Sequence, residues 1–257
     1  MRSQEKIMKI VNNWDWQENN VLVFRPWLDE GITHGITGIV PFRETYLSIA
    51  DYARLFSSWY PDTSLLISHQ VHGSIILEIS KDTPITEYLS IVGEGDAIIA
   101  PRINDTSSNQ RRAIAVQTAD CAPILIVTEL DVAVVHAGWR GLASGIIKKT
   151  VQKLFSRGGK VCRAVVGPAA TTKFYEVGSE VIEAIGTTAE AIKKNDTQWF
   201  LDVGRTALNQ CILALGSTGE GHLANICTIE DLRFYSYRRS MKTNTPLQGR
   251  NVSFIFC

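Results

Sequence analysis

Residues 113–155 read AIAVQTADCAPILIVTELDVAVVHAGWRGLASGIIKKTVQKLF, and this stretch decides the class of fold. Ala113 to Gln117 is an apolar run of strand length, and Ile124 to Val127 is a second. TADCAP lies between them, with Pro123 marking a turn. Val132-Ala133-Val134-Val135 is a third run, of the kind found in buried strands, and it ends in His136. After HAGWRG the pattern changes. Ile146, Ile147, Val151 and Phe155 recur at helical spacing, so a helix is expected from about Leu142 to Phe155, with Gly158 and Gly159 placed to close it.

Strands that follow one another directly, and only then a helix, do not make a strict βαβ alternation. They favour an α+β domain with mixed sheets. Outward from this stretch the signals agree. On the N-terminal side, Val21 to Phe24 is apolar, a short helix is expected near Ile49 to Trp59, and Leu65 to Ile67 and Ile75 to Leu77 read as strands. Asp105 to Arg112 is polar and loop-like. On the C-terminal side, Ala164 to Val166 reads as a strand and Ser179 to about Lys193 as a helix. Asp202 is placed to cap another helix carrying Val203, Ala207, Cys211 and Leu215 on one face, with Gly216 past its end. Phe234 to Tyr237 reads as extended, and Val252 to Phe256 as a last strand.

The 257 residues suit one large domain, and no linker or repeat divides them, so a single domain over residues 1–257 is expected. Lysine plus arginine equals aspartate plus glutamate at 26 each, a balance that offers nucleic acid no electrostatic footprint. The five cysteines include no CxxC pair, which fits a reducing compartment better than a disulfide scaffold. No apolar run is long enough to span a bilayer, and residues 1–16 do not read as a signal peptide. A cytoplasmic location is therefore expected.

Among only five histidines, two sit where apolar strands meet tight turns. His136 follows Val132 to Val135, and His72 lies in Gln70-Val71-His72-Gly73. Cys121 lies in the TADCAP turn. A lone cysteine at a strand end is usually a small core residue, and a lone histidine is usually just hydrogen-bonded. Three soft donors, all at turn junctions, shift that balance. Should they converge, a His₂Cys set suits zinc and leaves one position open, the mark of a catalytic rather than a structural metal. Asp120 and Gln70 adjoin the donors and are candidates for orienting them or moving a proton. Arg140 lies at the start of the helix after His136, where free N–H groups favour an anion. Arg238, Arg239 and Arg250 form a second cationic group suited to phosphate. Trp139, Tyr175, Phe234 and Tyr235 are candidates to stack on a flat ring.

The segments Gln70-Val71-His72-Gly73, Gly95-Asp96-Ala97, Thr118 to Pro123, His136 to Gly141, Gly167-Pro168, Tyr175 to Gly178, Ser236 to Arg239 and Gly249-Arg250 together resemble the laccase-domain proteins. These are also called the multicopper polyphenol oxidoreductase or YfiH-like family. The resemblance runs from about Leu65 to the C-terminus. It implies a four-layer α-β-β-α sandwich with mixed sheets and a zinc site made of His72, Cys121 and His136. It also implies phosphorolysis of purine nucleosides (adenosine, inosine or methylthioadenosine), with adenosine deamination in some members. The family's TRxGG-type segment has no counterpart arginine here. His34-Gly35-Ile36-Thr37-Gly38 stands in its place, with His34 as a possible replacement anion ligand.

The leading expectation is a zinc-dependent purine nucleoside phosphorylase acting on a nucleoside and phosphate. His72, Cys121, His136 and Asp120 would be its catalytic residues, and Gln70, Arg140, Arg238, Arg239 and Arg250 its substrate and phosphate residues. Three alternatives stand beside it. A copper polyphenol oxidase could use the same His₂Cys set, but multicopper oxidation also needs an imidazole-rich cluster that five histidines do not stretch to. A metal-free cysteine hydrolase would pair Cys121 with His136 as its base. A non-catalytic zinc-binding domain would use the metal only to fold.

Overall fold

The computed structural model describes residues 13–39, 48–102 and 111–257. The polar loop at 105–110 lies outside them, while Arg111 and Arg112 already belong to the strand Arg111–Thr118. Two large mixed sheets form the centre. In the seven-stranded sheet, Trp14–Trp16, Val21–Phe24, His34–Thr37, Asn251–Phe256, Arg111–Thr118, Thr63–His69 and Leu89–Glu94 lie side by side in that order. The six-stranded sheet runs Glu220–Leu223, Arg163–Val166, Ala122–Val127, Asp131–Ala137, Ala97–Pro101 and Ile76–Glu78. Each sheet contains parallel and antiparallel pairs.

Period-two alternation decides which faces meet. Leu66, Ile114 and Val116 of the first sheet pack against Ile98, Leu125, Val134 and Val165 of the second, making an apolar interface between them. The alternate residues Leu65, Ile67, Ala113 and Ala115 face outward, onto Tyr52, Ala53 and Phe56 of the helix Ile49–Trp59. The outer face of the second sheet, including Ile124, Ile126, Ala133 and Val135, carries the helices Ile146–Ser156 and Val203–Leu215. The layers are therefore helix, sheet, sheet, helix, as the resemblance implied. A small sheet of Glu176–Gly178, Gln198–Leu201 and Ala191–Lys193 lies beside them. No described helix is long and apolar enough to cross a membrane.

Several expected elements hold to the residue. The helix Ile49–Trp59 starts at Ser48, whose hydroxyl accepts from the Asp51 N–H, and Asp202 caps Val203–Leu215 through the Arg205 N–H. Three others differ. The helix expected over Leu142 to Phe155 is two helices, Trp139–Ala143 and Ile146–Ser156, because Gly145 takes φ +72° and re-aims the chain. The helix expected from Ser179 to Lys193 stops at Ile185, because Gly186 also adopts a positive φ and Ala191–Lys193 pairs instead with Gln198–Leu201. Phe234 to Tyr237 forms no strand, and Tyr237 opens the helix Tyr237–Thr243.

His34 belongs to the core. Its Nε2 accepts from the Phe24 N–H at 3.0 Å while Nδ1–H donates to the Ile32 carbonyl at 2.8 Å, an arrangement only the neutral ring can make. Burial pushes its pKa down to about 4, against a weaker upward pull from the Ile32 carbonyl. A folded-state value below the unfolded ~6.5 means the unfolded chain binds the proton more readily. The resulting stability is complete above pH ~6.5 and is lost as pH falls toward about 4, amounting to roughly 2 kcal/mol by pH 5. Denaturant unfolding at pH 7 and pH 5 is expected to show that loss in the wild type and to miss it in His34→Gln. Equal pH slopes in the two proteins would refute it.

Candidate metal centre and active-site cavity

At one end of the paired sheets, strand ends and turns converge on a cavity of about 560 Å³. His72 comes from the turn after Thr63–His69, Cys121 from the turn between Arg111–Thr118 and Ala122–Val127, and His136 from the end of Asp131–Ala137. Their donor atoms lie within 4.8 Å of one another, the only such group among the described residues. The two imidazoles meet edge to face, with centroids 4.8 Å apart at 83°.

Asp96 organises this cluster, and its side chain is fully buried. Its Oδ1 accepts from His136 Nδ1–H at 2.8 Å and from the His72 N–H at 2.9 Å. Its Oδ2 accepts from the N–H groups of Gly73 at 2.7 Å and Val71 at 3.3 Å. One carboxylate thus fixes the His136 ring, leaves its Nε2 for a metal, and pins the turn that holds His72 at φ +59°. Burial works against its charge, but the bonds from His136, Gly73 and His72 outweigh it and keep the carboxyl below its ordinary range.

The donor set fits a metal. Burial would raise the Cys121 thiol, yet hydrogen bonds and charge from His136 and His72 overcome that and bring it down to about 7. The thiolate form is the one that ligates. Burial likewise disfavours a charged His136, but Asp96 and Cys121 hold it up at about 9. Gly138 keeps the cradle open: a Cβ there would stand 3.0 Å from Cys121 Sγ and 3.4 Å from His72 Cδ2.

The other expected site residues divide. Arg140, Arg238 and Arg250 line the cavity, as do Gln70 and Asp120. Arg140 packs over Trp139 and Arg238 over Tyr175, with the guanidinium carbons 4.3 and 4.5 Å from the ring centres. The helix at Arg140 has only five residues, so the guanidinium rather than a long helix dipole supplies positive charge there. Gln70 uses its amide twice on the backbone of Gln117, so it braces a wall. Asp120, at φ +95°, accepts from the Thr228 hydroxyl at 2.7 Å and from the Arg238 N–H at 2.6 Å. It ties the turn that carries Cys121 to the start of the helix Tyr237–Thr243.

Arg239 does not line the cavity. Its guanidinium donates to the carbonyls of Thr228, Ile229, Asp231 and Phe234, holding that loop together. Phe234 and Tyr235 are core residues, whereas Trp139 and Tyr175 face the cavity with Tyr237. His34 lies in the core and does not replace the missing arginine. Asp96 is the residue that sequence reasoning left without a role. Its signal was the Gly95-Asp96-Ala97 triplet, but nothing local links it to His72 and His136.

Residues 49–257 match the profile of the family described as multi-copper polyphenol oxidoreductase laccase. A Shigella flexneri protein named purine nucleoside phosphorylase YfiH is 30% identical over 213 residues, which cover 79% of this chain and 78% of that one. An Aquifex aeolicus purine nucleoside phosphorylase is 35% identical over 185 residues, covering 70% and 78%. The crystal structure of YlmD from Geobacillus stearothermophilus superposes with a TM-score of 0.77 at 21% identity, covering 95% of this chain and 98% of that one. That likeness extends the agreement in fold beyond the matched segment. With the profile spanning most of its length, this chain belongs to the multi-copper polyphenol oxidoreductase laccase family.

Proposed function

We propose that this protein is a zinc-dependent purine nucleoside phosphorylase, converting a nucleoside and phosphate to free base and ribose 1-phosphate. The observation that carries the reading is the cavity itself. A three-donor His–Cys–His cluster forms part of its lining, guanidinium groups stand around it, and Trp139 and Tyr175 complete the wall. Relatives at 30–35% identity over most of the chain bear the name purine nucleoside phosphorylase. Zinc suits two imidazoles and one thiolate with a position left open. Bound there, it would supply Lewis acidity to an oxygen of the substrate.

The protein's own groups do the rest. Arg140, Arg238 and Arg250 neutralise and orient the phosphate. Trp139 holds the base by stacking. Asp120 keeps Arg238 in place through its backbone N–H. Adenosine deamination is a second activity open to the same cavity. The five cysteines are all free thiols, and the cytoplasm is the compartment we assign.

The copper-oxidase reading fits less well. Of the five histidines, His34 is buried against Trp27 and His222 packs half-buried on Phe24, and neither belongs to a second donor cluster among the described residues. The low thiol of Cys121 beside His136 is the one observation that favours a metal-free cysteine hydrolase. Purified protein given inosine or adenosine is expected to release base and ribose 1-phosphate in equal amounts, only when phosphate is present. No turnover with or without phosphate would overturn the phosphorylase reading. Activity that survives metal chelation but not thiol alkylation would replace it with the hydrolase.

A further inference from the structure

Phosphorolysis of a purine nucleoside needs a proton for the departing base, and the cavity contains few groups that can give one. Its one carboxylate, Asp120, is committed to Thr228 and Arg238. The Ser68 hydroxyl is committed to the Gly95 carbonyl, and the Gln70 amide to Gln117. The three guanidinium groups hold their protons throughout the working pH range. His72 and His136 belong to the metal cluster.

An aliphatic hydroxyl such as that of Thr118 is too weak an acid for this step, so three groups of suitable acidity remain on the lining: His69, Tyr175 and Tyr237. His69 and Tyr237 are exposed, the latter 54%. Tyr175 is half-buried and packs against the core beneath the helices. Its backbone is fixed at both ends: its N–H donates to the Thr171 carbonyl, and its carbonyl accepts from the Leu201 N–H, each at 3.0 Å. Its side chain lines the cavity together with Cys121, Asp120 and Arg140, and the Arg238 guanidinium carbon lies 4.5 Å from its ring centre. Burial, the largest influence on the phenol, keeps the hydroxyl protonated.

We infer that Tyr175 is the catalytic acid, delivering its phenol proton to N7 of the purine as the glycosidic bond breaks. This rests on the phosphorylase reading. A phosphate oxygen bonds to C1′ while the electron pair of the C1′–N9 bond leaves with the base. N7 takes the phenol proton, and the phenolate is restored by the proton that the new phosphate ester gives up. The products are neutral purine and ribose 1-phosphate dianion, with no other reactant consumed.

The test compares inosine with 7-methylinosine, whose base already carries a positive charge and needs no proton to leave. In Tyr175→Phe, kcat on inosine is expected to fall about 100- to 1000-fold. On 7-methylinosine it should change less than about threefold, because no proton transfer is lost. Metal content and melting temperature should match the wild type. Equal losses on both substrates would show a positioning role, and no loss on either would show no role. A selective loss in Tyr237→Phe or His69→Gln instead would assign the proton elsewhere. Each of these overturns the proposal while leaving phosphorolysis intact. A wild type that cleaves neither substrate would overturn the phosphorylase reading, and this proposal with it.

Discussion

Cys121→Ala is expected to lose its metal and, with it, catalysis. The three donors form one compact group, and Cys121 supplies its only thiolate. Three-ligand sites have no spare donor. If binding free energy of the usual 10–16 kcal/mol is shared among the ligands, losing one costs about 4 kcal/mol, or roughly a thousandfold in affinity. A drop in kcat/KM of about the same factor should follow from the vacant site. The fold should survive, because the turn is held by Asp120, whose carbonyl accepts from the Ala170 N–H and whose carboxylate ties Thr228 and Arg238. Elemental mass spectrometry on untagged protein, beside a thermal melt, reads both. About one zinc per wild-type chain and none in a folded variant is the expected result, and equal metal in both would remove Cys121 from the site. Copper at several ions per chain would restore the oxidase reading.

Asp96→Asn should damage the same centre without touching the cavity. Both carboxylate oxygens accept, Oδ1 from His72 and His136 and Oδ2 from Gly73 and Val71. An amide has only one oxygen. Whichever way it is turned, its NH₂ confronts two N–H groups and at least two hydrogen bonds are lost in a fully buried place. Breaking a buried charged network costs about 3–5 kcal/mol. Loosening the partner of a ligating histidine lowers metal affinity by about 10- to 100-fold. Denaturant unfolding and competitive titration with a chromophoric chelator measure the two effects separately. Wild-type values in both would mean that Asp96 neither holds His136 nor the His72 turn.

What was legible in the sequence follows from how local each signal is. Asp202 is a side-chain cap whose partner lies three residues away, so the helix it starts was read correctly. Gly145 and Gly186 were harder. Each breaks an otherwise helical pattern by taking a positive φ, and a glycine's φ is not written in its neighbours. The segment after Ile185 is rich in helix formers, but pairing with Gln198–Leu201 overrides propensity. Within the site, His72, Cys121 and His136 stood out as scarce residue types at turn junctions, and the resemblance joined them. Arg239 was grouped with Arg238 by adjacency, but neighbouring helical residues point some 100° apart, and the Thr228–Phe234 carbonyls claimed it. Asp96 could not be assigned because its partners lie 23 to 40 residues away.

The strand Asn251–Phe256 lies inside the seven-stranded sheet, between His34–Thr37 and Arg111–Thr118. During synthesis those two neighbours emerge from the ribosome more than a hundred residues before the strand that joins them. Until it arrives, each presents an unpaired edge able to recruit another chain. Assembly of this sheet is therefore a late event with a long loop to close, and slow by topology. Chains interrupted before Arg250 should accumulate as aggregates rather than as partly active enzyme, since Arg250 and the sheet wall behind the Cys121 turn are lost together.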